Sequence, residues 1–162
     1  MNTITLHSYR PGILGEVVRH HGIYYLKHWD FDIRFETQVA RELAEFISQL
    51  DPARDGFWWA AEDDKFVGAI AVDGTSTAEG QARLRWFIVP EEFQGKGVGL
   101  KLFDRAMQFC RDKDYDSVHL WTFKGLVGAR KLYEGAGMKV VEEHTVAMWG
   151  PEINAQKFEL FL

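Results

Sequence analysis

The chain is poor in cysteine, has no long apolar run and carries no excess of positive charge. Cys110 is the only cysteine among 162 residues, which excludes an internal disulfide and agrees with a reducing compartment. No apolar stretch is long enough to cross a bilayer, and no charged-then-apolar leader precedes the first periodic segment. We therefore expect a cytoplasmic protein without a membrane partner, built as one domain over residues 1–162.

Basic residues are fewer than acidic ones. Lysine and arginine together number 19 against 24 acidic residues, which gives a net charge of −5. Nucleic-acid-binding proteins concentrate basic residues on one face, whereas those of this chain are scattered, so no nucleic-acid partner is expected. The six histidines form no His-Glu-x-x-His run and there is no cysteine pair, so no metal is predicted. The oligomeric state stays open, with a homodimer as one candidate.

The spacing of apolar residues predicts a mixed α/β fold. Period-two alternation marks strands, and apolar residues three or four apart mark helices. Gly22 predicts a turn that ends the first helix near His21, and Asp30 or Asp32 caps the second helix, which Asp51 stops. The predicted strands are 3–9, 57–62, 65–72, 81–89, 117–121, 138–149 and 156–162, and further helices follow the glycine-rich loop through Cys110 and cover 127–135.

A glycine-rich loop, residues 94–99, lies between an apolar strand and an amphipathic helix. Glycines let bare N–H groups approach a ligand, and the start of a helix attracts phosphate. A Walker loop is excluded because Gly97 stands where Ser or Thr is needed. A dinucleotide fingerprint fits poorly because Leu100 replaces its third glycine, although Asp116 lies at a tolerable distance for a ribose contact.

Two motifs carry a resemblance to a known family. Gln94-x-x-Gly97-x-Gly99 resembles the acyl-CoA loop of the GNAT superfamily of N-acetyltransferases, and Ala129-x-x-Leu132-Tyr133-x-x-x-Gly137-Met138 resembles a second segment of that superfamily. The resemblance implies a mixed α/β, GNAT-like fold. Its central twisted sheet is mostly antiparallel, with about seven strands, a splayed pair near the middle and about four flanking helices.

A narrower resemblance lies in the first half of the chain. Residues 11–15 and 21–25 look like the acetyltransferase portion of proteins that fuse a MarR-type regulator to a GNAT domain. One position departs from the superfamily, because Leu126 stands where many members have Asn before the second motif. The cofactor or water contacts that such an Asn makes are therefore not expected in the same form.

The resemblance implies acetyl-CoA as the co-substrate. Its pyrophosphate lies on the N–H groups after Gln94, its amide-rich arm runs beside the strand that precedes the loop, and that strand carries a bulge near Trp86. The implied cofactor-binding residues are Phe87, Ile88, Val89, Gln94, Gly95, Lys96, Gly97, Val98, Gly99, Leu100, Ala129 and Tyr133.

Acetyl transfer needs an acid for the departing thiolate and a neutral amine. A tyrosine can protonate a thiolate, and the second motif assigns this role to Tyr133. Glu62 is the predicted base, with His119 as an alternative. His21, Tyr25 and Arg85 are the predicted residues on the acceptor side, Arg85 as a partner for a carboxylate or for an acid on a neighbouring strand.

The predicted function is an N-acetyltransferase that moves an acetyl group from acetyl-CoA to a primary amine, a small metabolite or amino-acid-like molecule. The amine attacks directly in a ternary complex. The alternative is a non-catalytic acyl-CoA sensor, which the regulator-linked resemblance and Leu126 favour.

Overall fold

The computed structural model describes residues 2–75 and 78–162. Its strands and helices follow one another as the apolar periodicity predicts. The strands are β1 (Ile4–His7), β2 (Gly56–Glu62), β3 (Lys65–Asp73), β4 (Gln81–Ile88), β5 (Ser117–Phe123), β6 (Lys139–Val146) and β7 (Ile153–Phe161); the helices are α1 (Ile13–Trp29), α2 (Ile33–Ser48), α3 (Val98–Asp112) and α4 (Val127–Gly135), with a short 3-10 turn at Glu91–Phe93.

The strands form a single seven-stranded sheet in the order β1-β2-β3-β4-β5-β7-β6. All neighbours are antiparallel except β4 and β5, which run parallel. These two strands pair only from Gln81 opposite Ser117 to Leu84 opposite Leu120, so the sheet splits beyond Leu84. The predicted fold class, including the splayed pair near the middle, is confirmed.

The strand β4 carries a bulge beside the split. Ala69 pairs with Ile88 and Ala71 pairs with Arg85, so Trp86 and Phe87 together oppose the single residue between the two alanines. Trp86 takes a left-handed backbone conformation with φ of 47°. The bulge reverses the alternation of side chains, since Trp86 packs with the cluster under α1 and α2 whereas Phe87 packs with the cluster under α3. The bulge predicted near Trp86 is confirmed.

The sheet is covered on both faces. One core cluster packs α3 and α4 against the sheet around the buried Leu102 and Phe158. The other packs α1 and α2 against the opposite face around the buried Leu43 and Trp59.

The helix α1 is longer than predicted. The prediction that Gly22 ends it near His21 is wrong, because the helix continues to Trp29 and ends where Asp30 takes a left-handed φ of 58°. Gly22 lets the flexible side chain of Glu36 on α2 lie against α1, where a Cβ would overlap its carboxylate. The cap of α2 is Asp32, whose carboxylate accepts from Arg34 N at 3.0 Å.

No helix among the described residues is both long enough and apolar enough to span a membrane.

Candidate active site

The split between β4 and β5 opens into a cavity of about 1090 Å³. Its walls are the second half of β4, the glycine-rich loop, the end of β5, α4 and one face of α1. Most predicted site residues line it: His21, Tyr25, Arg85, Phe87, Ile88, Val89, Gln94, Gly95, Gly97, Gly99, Leu100, Ala129 and Tyr133. Lys96, Val98 and Glu62 do not.

The glycine-rich loop presents open backbone to the cavity. Gly95 and Gly97 have left-handed φ values of 78° and 83°, and a Cβ on either would meet no atom within 4 Å. Gly97 caps α3 without a side-chain hydrogen bond. The first N–H groups of α3 therefore lie free beside the cavity, which is the arrangement that binds phosphate at a helix start.

Side chains of the loop brace it. Gln94 Nε2 donates to the carbonyl oxygen of Val89 at 2.9 Å, and Lys96 Nζ lies 5.4 Å from the centre of the Phe93 ring. The side chain of Val98 is buried in the core, so this residue can contribute to a ligand site only through its backbone.

Tyr133 of α4 brings its phenol to the cavity. Its ring packs between Phe103 and Phe158, with centroid distances of 5.9 and 5.4 Å. No hydrogen bond to its hydroxyl occurs within the described residues. Burial raises the pKa of Tyr133 well above its ordinary value, so the phenol keeps its proton at neutral pH.

One face of α1 forms the opposite wall. His21, Tyr25 and His28 line the cavity at intervals of four and three residues, which places them on one side of the helix. His21 Nδ1 donates to the carbonyl oxygen of Val17 at 2.8 Å, and this assigns the lone pair to Nε2. Burial lowers the pKa of His21 to about 4, so the ring is neutral at neutral pH. Burial raises the pKa of Tyr25, so that phenol is also protonated.

Arg85 is held by carboxylates of the protein itself. Its guanidinium donates to Glu42 at 2.9 Å and to Asp73 at 3.2 Å, and it lies 4.1 Å from the Trp86 ring centre. Burial opposes ionisation of Asp73, but hydrogen bonds from Thr75 and Arg85 outweigh it and hold the pKa of that carboxyl below its usual value. Arg85 thus contacts an acid on a neighbouring strand, Asp73 of β3, which is the second of its two predicted kinds of partner.

Glu62 lies apart from the cavity. It is the last residue of β2, where it pairs with Ile4 on one side and Lys65 on the other. The geometry therefore does not bring the predicted base together with Tyr133.

Several residues of the cavity were not anticipated from the sequence. The loop between β6 and β7 reaches α2, because Trp149 Nε1 donates to Gln38 Oε1 at 2.9 Å and the Trp149 carbonyl accepts from Asp32 N at 3.0 Å. Arg83 lines the floor, and its position two residues before Arg85 on the same strand is a signal that could have found it. Leu126 lines the cavity and packs with the α1 and α2 cluster through apolar contacts.

No group of three or more His, Cys, Asp or Glu side chains that could hold a metal ion occurs in residues 2–75 and 78–162.

Two curated proteins resemble parts of the chain. N-acetyltransferase 8B of Homo sapiens is 28% identical over 121 residues, which cover 73% of this chain and 52% of that protein. N-acetylaspartate synthetase of Xenopus tropicalis is 34% identical over 93 residues, which cover 56% of this chain and 34% of that protein. The chain thus spans about half or less of the length of these relatives.

A solved structure with the same fold and a match to a protein family agree with these two relatives. A solved structure from Salmonella typhimurium, described with its cofactor acetyl-CoA, has a TM-score of 0.73 and 13% identity, covers 99% of this chain and 94% of that one, and so shares the fold. Residues 20–138 match the Acetyltransferase (GNAT) family. Since this match extends over most of the chain, the chain belongs to the GNAT acetyltransferase family.

Proposed function

We propose that this protein transfers an acetyl group from acetyl-CoA to a primary amine, a small metabolite or amino-acid-like molecule, by direct attack in a ternary complex. The observation that carries the proposal is the meeting, in one cavity, of open N–H groups at the start of α3, the split strand β4 and the phenol of Tyr133. Acetyl-CoA supplies the activated thioester when bound.

The backbone of the cavity fits such a ligand. Gly95 and Gly97 keep the start of α3 clear of side chains, so the N–H groups of residues 95–100 can hold the pyrophosphate. Beyond Leu84, β4 has lost its pairing with β5, and its backbone N–H and C=O groups are available to the amides of the arm at Phe87, Ile88 and Val89. Ala129 of α4 lines the opposite side.

Tyr133 acts as the acid in this proposal. Its protonated phenol faces the cavity from a buried position, and it can give its proton to the sulfur of the departing thiolate. A thiol has an ordinary pKa of about 8.5, below that of a phenol, so proton transfer from Tyr133 is uphill and has to accompany the breaking of the carbon–sulfur bond, as negative charge develops on the sulfur. The attacking amine gives up one proton to water as the amide forms, and water returns one proton to Tyr133, so the protons balance over the cycle.

The α1 wall receives the amine. Nε2 of the neutral His21 can accept a hydrogen bond from an amine N–H, and the rings of Tyr25 and Phe35 exclude water around it. Glu62 lies outside the cavity, so its proposed role as the base receives no support from the geometry. The names of the relatives support an amine acceptor, and N-acetylaspartate synthetase is named for an acetylated amino acid.

An acyl-CoA sensor is the second candidate. Leu126 favours it, because an apolar side chain stands where many family members place an amide. The narrower likeness to regulator-linked acetyltransferases, the single domain and the cytoplasmic location stay predictions.

A thiol-release assay tests the proposal. The protein is mixed with acetyl-CoA and a panel of primary amines, and free coenzyme A is followed with a chromogenic thiol reagent; Cys110 is buried and does not interfere. Release that depends on the amine and yields acetylated product supports the transferase. Tight acetyl-CoA binding without release for any amine contradicts it and supports the sensor.

A further inference from the structure

Two buried polar atoms without a hydrogen-bond partner belong to neighbouring residues of β4 and β5, and one of the two residues, Arg83, lines the cavity. Among the described residues, Arg83 Nε and His119 Nδ1 are the side-chain nitrogen or oxygen atoms in this state. The two residues are direct cross-strand neighbours, Arg83 on β4 and His119 on β5. Buried polar groups in native proteins nearly always have partners, so an adjacent pair without any indicates a site for a polar ligand.

Arg83 carries a positive charge that nearby carboxylates offset only from a distance. Arg85, which points to the same face two residues later, takes both nearby carboxylates, Glu42 and Asp73. No ion pair or hydrogen bond to the side chain of Arg83 occurs within residues 2–75 and 78–162. Burial and the charge of Arg85 lower the pKa of Arg83 to about 10, although Glu42 and Asp73 act in the opposite direction, so it remains charged at neutral pH. A partly buried cation that forms no direct ion pair favours binding of an anion.

His119 places a neutral ring beside Arg83. Burial lowers its pKa to about 4, the charges of Lys157 and Arg83 act in the same direction, and a hydrogen bond to the backbone of Ala82 opposes them. Its neighbour across β7, Glu159, accepts a hydrogen bond from Gln81 at 3.4 Å. A neutral imidazole beside Arg83 brings no negative charge that would compete with a bound anion for the guanidinium.

The pair lies close to the reaction centre. Arg83 lines the cavity at the last positions where β4 and β5 still pair, directly before the split. Trp86 of the bulge is three residues further along β4, about 10 Å of extended strand. A long arginine side chain and a small amine together span that distance.

We propose that Arg83, supported by His119, binds a carboxylate group of the acceptor, so that the preferred acceptors are amino acids. This inference rests on the proposed acetyltransferase function and names its substrate class. A guanidinium binds a carboxylate through two parallel N–H donors, and Arg83 forms no ion pair within the described residues that a carboxylate would have to displace. Arg85 does not fill this role, because Glu42 and Asp73 already occupy its donors.

Matched acceptors test the proposal. The twenty L-amino acids are compared with their α-carboxamides, which keep the amine and side chain but lose the negative charge. In Arg83→Gln we expect kcat/KM for the preferred amino acid to fall by about 10- to 100-fold, mostly through KM, whereas kcat/KM for its carboxamide stays within about twofold. Arg83→Lys keeps the charge but not the planar donors, so its kcat/KM for the amino acid should lie between those of the parent protein and Arg83→Gln.

The control is Arg41→Gln. Arg41 is exposed on α2 and does not line the cavity, so both acceptors keep their parent values. Equal use of amino acids and carboxamides by the parent protein, or an equal loss for both in Arg83→Gln, overturns the proposal.

A binding measurement separates this inference from the proposed function. Calorimetric titration of L-amino acids into the protein saturated with coenzyme A needs no turnover. Binding that Arg83→Gln weakens about 10-fold or more, and that carboxamides do not show, supports the carboxylate site even where no acetylation occurs. If the protein acetylates amines but does not bind amino acids, or binds them equally well in Arg83→Gln, the proposed transferase function holds and the proposed carboxylate site is overturned.

Discussion

The indole ring of Trp29, the last residue of α1, occupies the space that a side chain on Gly125 would need. Gly125 lies between β5 and α4 with a left-handed φ of 118°, and the Trp29 ring meets the edge of Phe123 at 4.8 Å. This contact joins the α1 wall of the cavity to the α4 wall. The width of the cavity therefore depends on residue 125 being a glycine.

Gly125→Ala is expected to open the cavity. The new Cβ would overlap the Trp29 ring, and the left-handed backbone disfavours alanine, so we expect the free energy of unfolding to fall by about 2 kcal/mol. Amine KM should rise because Trp29 moves. Gly135→Ala on α4 is the control, since a Cβ there meets nothing within 4 Å. Urea unfolding and thiol-release kinetics measure both effects, and unchanged kinetics in Gly125→Ala would contradict the role of this contact.

Tyr133→Phe tests the proposed acid. Loss of the hydroxyl removes the proton donor but keeps the ring packed on Phe103, so we expect kcat to fall about 100-fold while acetyl-CoA affinity stays within about twofold. Tyr115→Phe is the matched control, because the Tyr115 hydroxyl donates to the Arg54 carbonyl at 2.7 Å away from the cavity. Equal kcat values for Tyr133→Phe and the parent protein would contradict the proposed role of Tyr133 as the acid.

Gly97→Val tests the phosphate site. A side chain there points into open space at the start of α3, where the pyrophosphate is proposed to lie, so acetyl-CoA binding should be lost. Gly12→Val carries the same backbone strain, with a φ of 96° and no atom within 4 Å of a Cβ, but lies outside the cavity. We expect similar thermal destabilisation for both variants and loss of calorimetric acetyl-CoA binding for Gly97→Val alone. Retained binding would reject the loop assignment.

Local spacing made much of the fold predictable. The helix α4 has the bounds predicted for it, and the glycine-rich loop lies at a helix start as expected, because both depend on residues close in sequence. The errors have long-range causes. Gly22 predicts a turn in the local sequence because its neighbour in the fold, Glu36, belongs to another helix.

The same limit applies to the site. Arg83 and Arg85 share one face of β4, and nothing in the local sequence says which of them the protein neutralises. That choice depends on Glu42, which α2 brings over the sheet, and on Asp73 of β3. The residues of the second motif could be placed because their spacing is local, whereas the acceptor wall depends on how α1 packs.

The stability of the protein should fall on mild acidification. His21 and His119 have pKa values near 4 in the folded protein, below the ordinary value of 6.5. Between these values the unfolded chain binds more protons, so the free energy of unfolding decreases as pH falls, by about 2 kcal/mol per histidine between pH 7 and 5. Carboxyl groups with lowered pKa, such as Asp73, contribute only at lower pH.

Urea unfolding across this pH range measures the effect. His21→Gln and His119→Gln should each flatten the dependence, and the double variant should flatten it further. An unchanged slope in both single variants would contradict the buried neutral state of these rings.

The two neighbouring arginines of β4 should affect stability in opposite ways. Arg85→Gln leaves Asp73, whose side chain is 4% exposed, without its cation, so we expect the free energy of unfolding to fall by about 3 kcal/mol. Arg83→Gln removes a partly buried charge whose Nε has no hydrogen-bond partner, and stability should stay the same or rise.

Urea unfolding at pH 7 compares the two variants, and Asp73→Asn combined with Arg85→Gln completes a double-mutant cycle that should show coupling of the pair. A loss in Arg83→Gln as large as that in Arg85→Gln would mean that the folded protein neutralises Arg83 by itself. Arg83 would then have no need of an anion, and the carboxylate site would lose its physical basis. If Arg83 instead serves to bind the acceptor carboxylate, Arg83→Gln should leave the stability unchanged or higher and remove the preference for amino acids over their carboxamides.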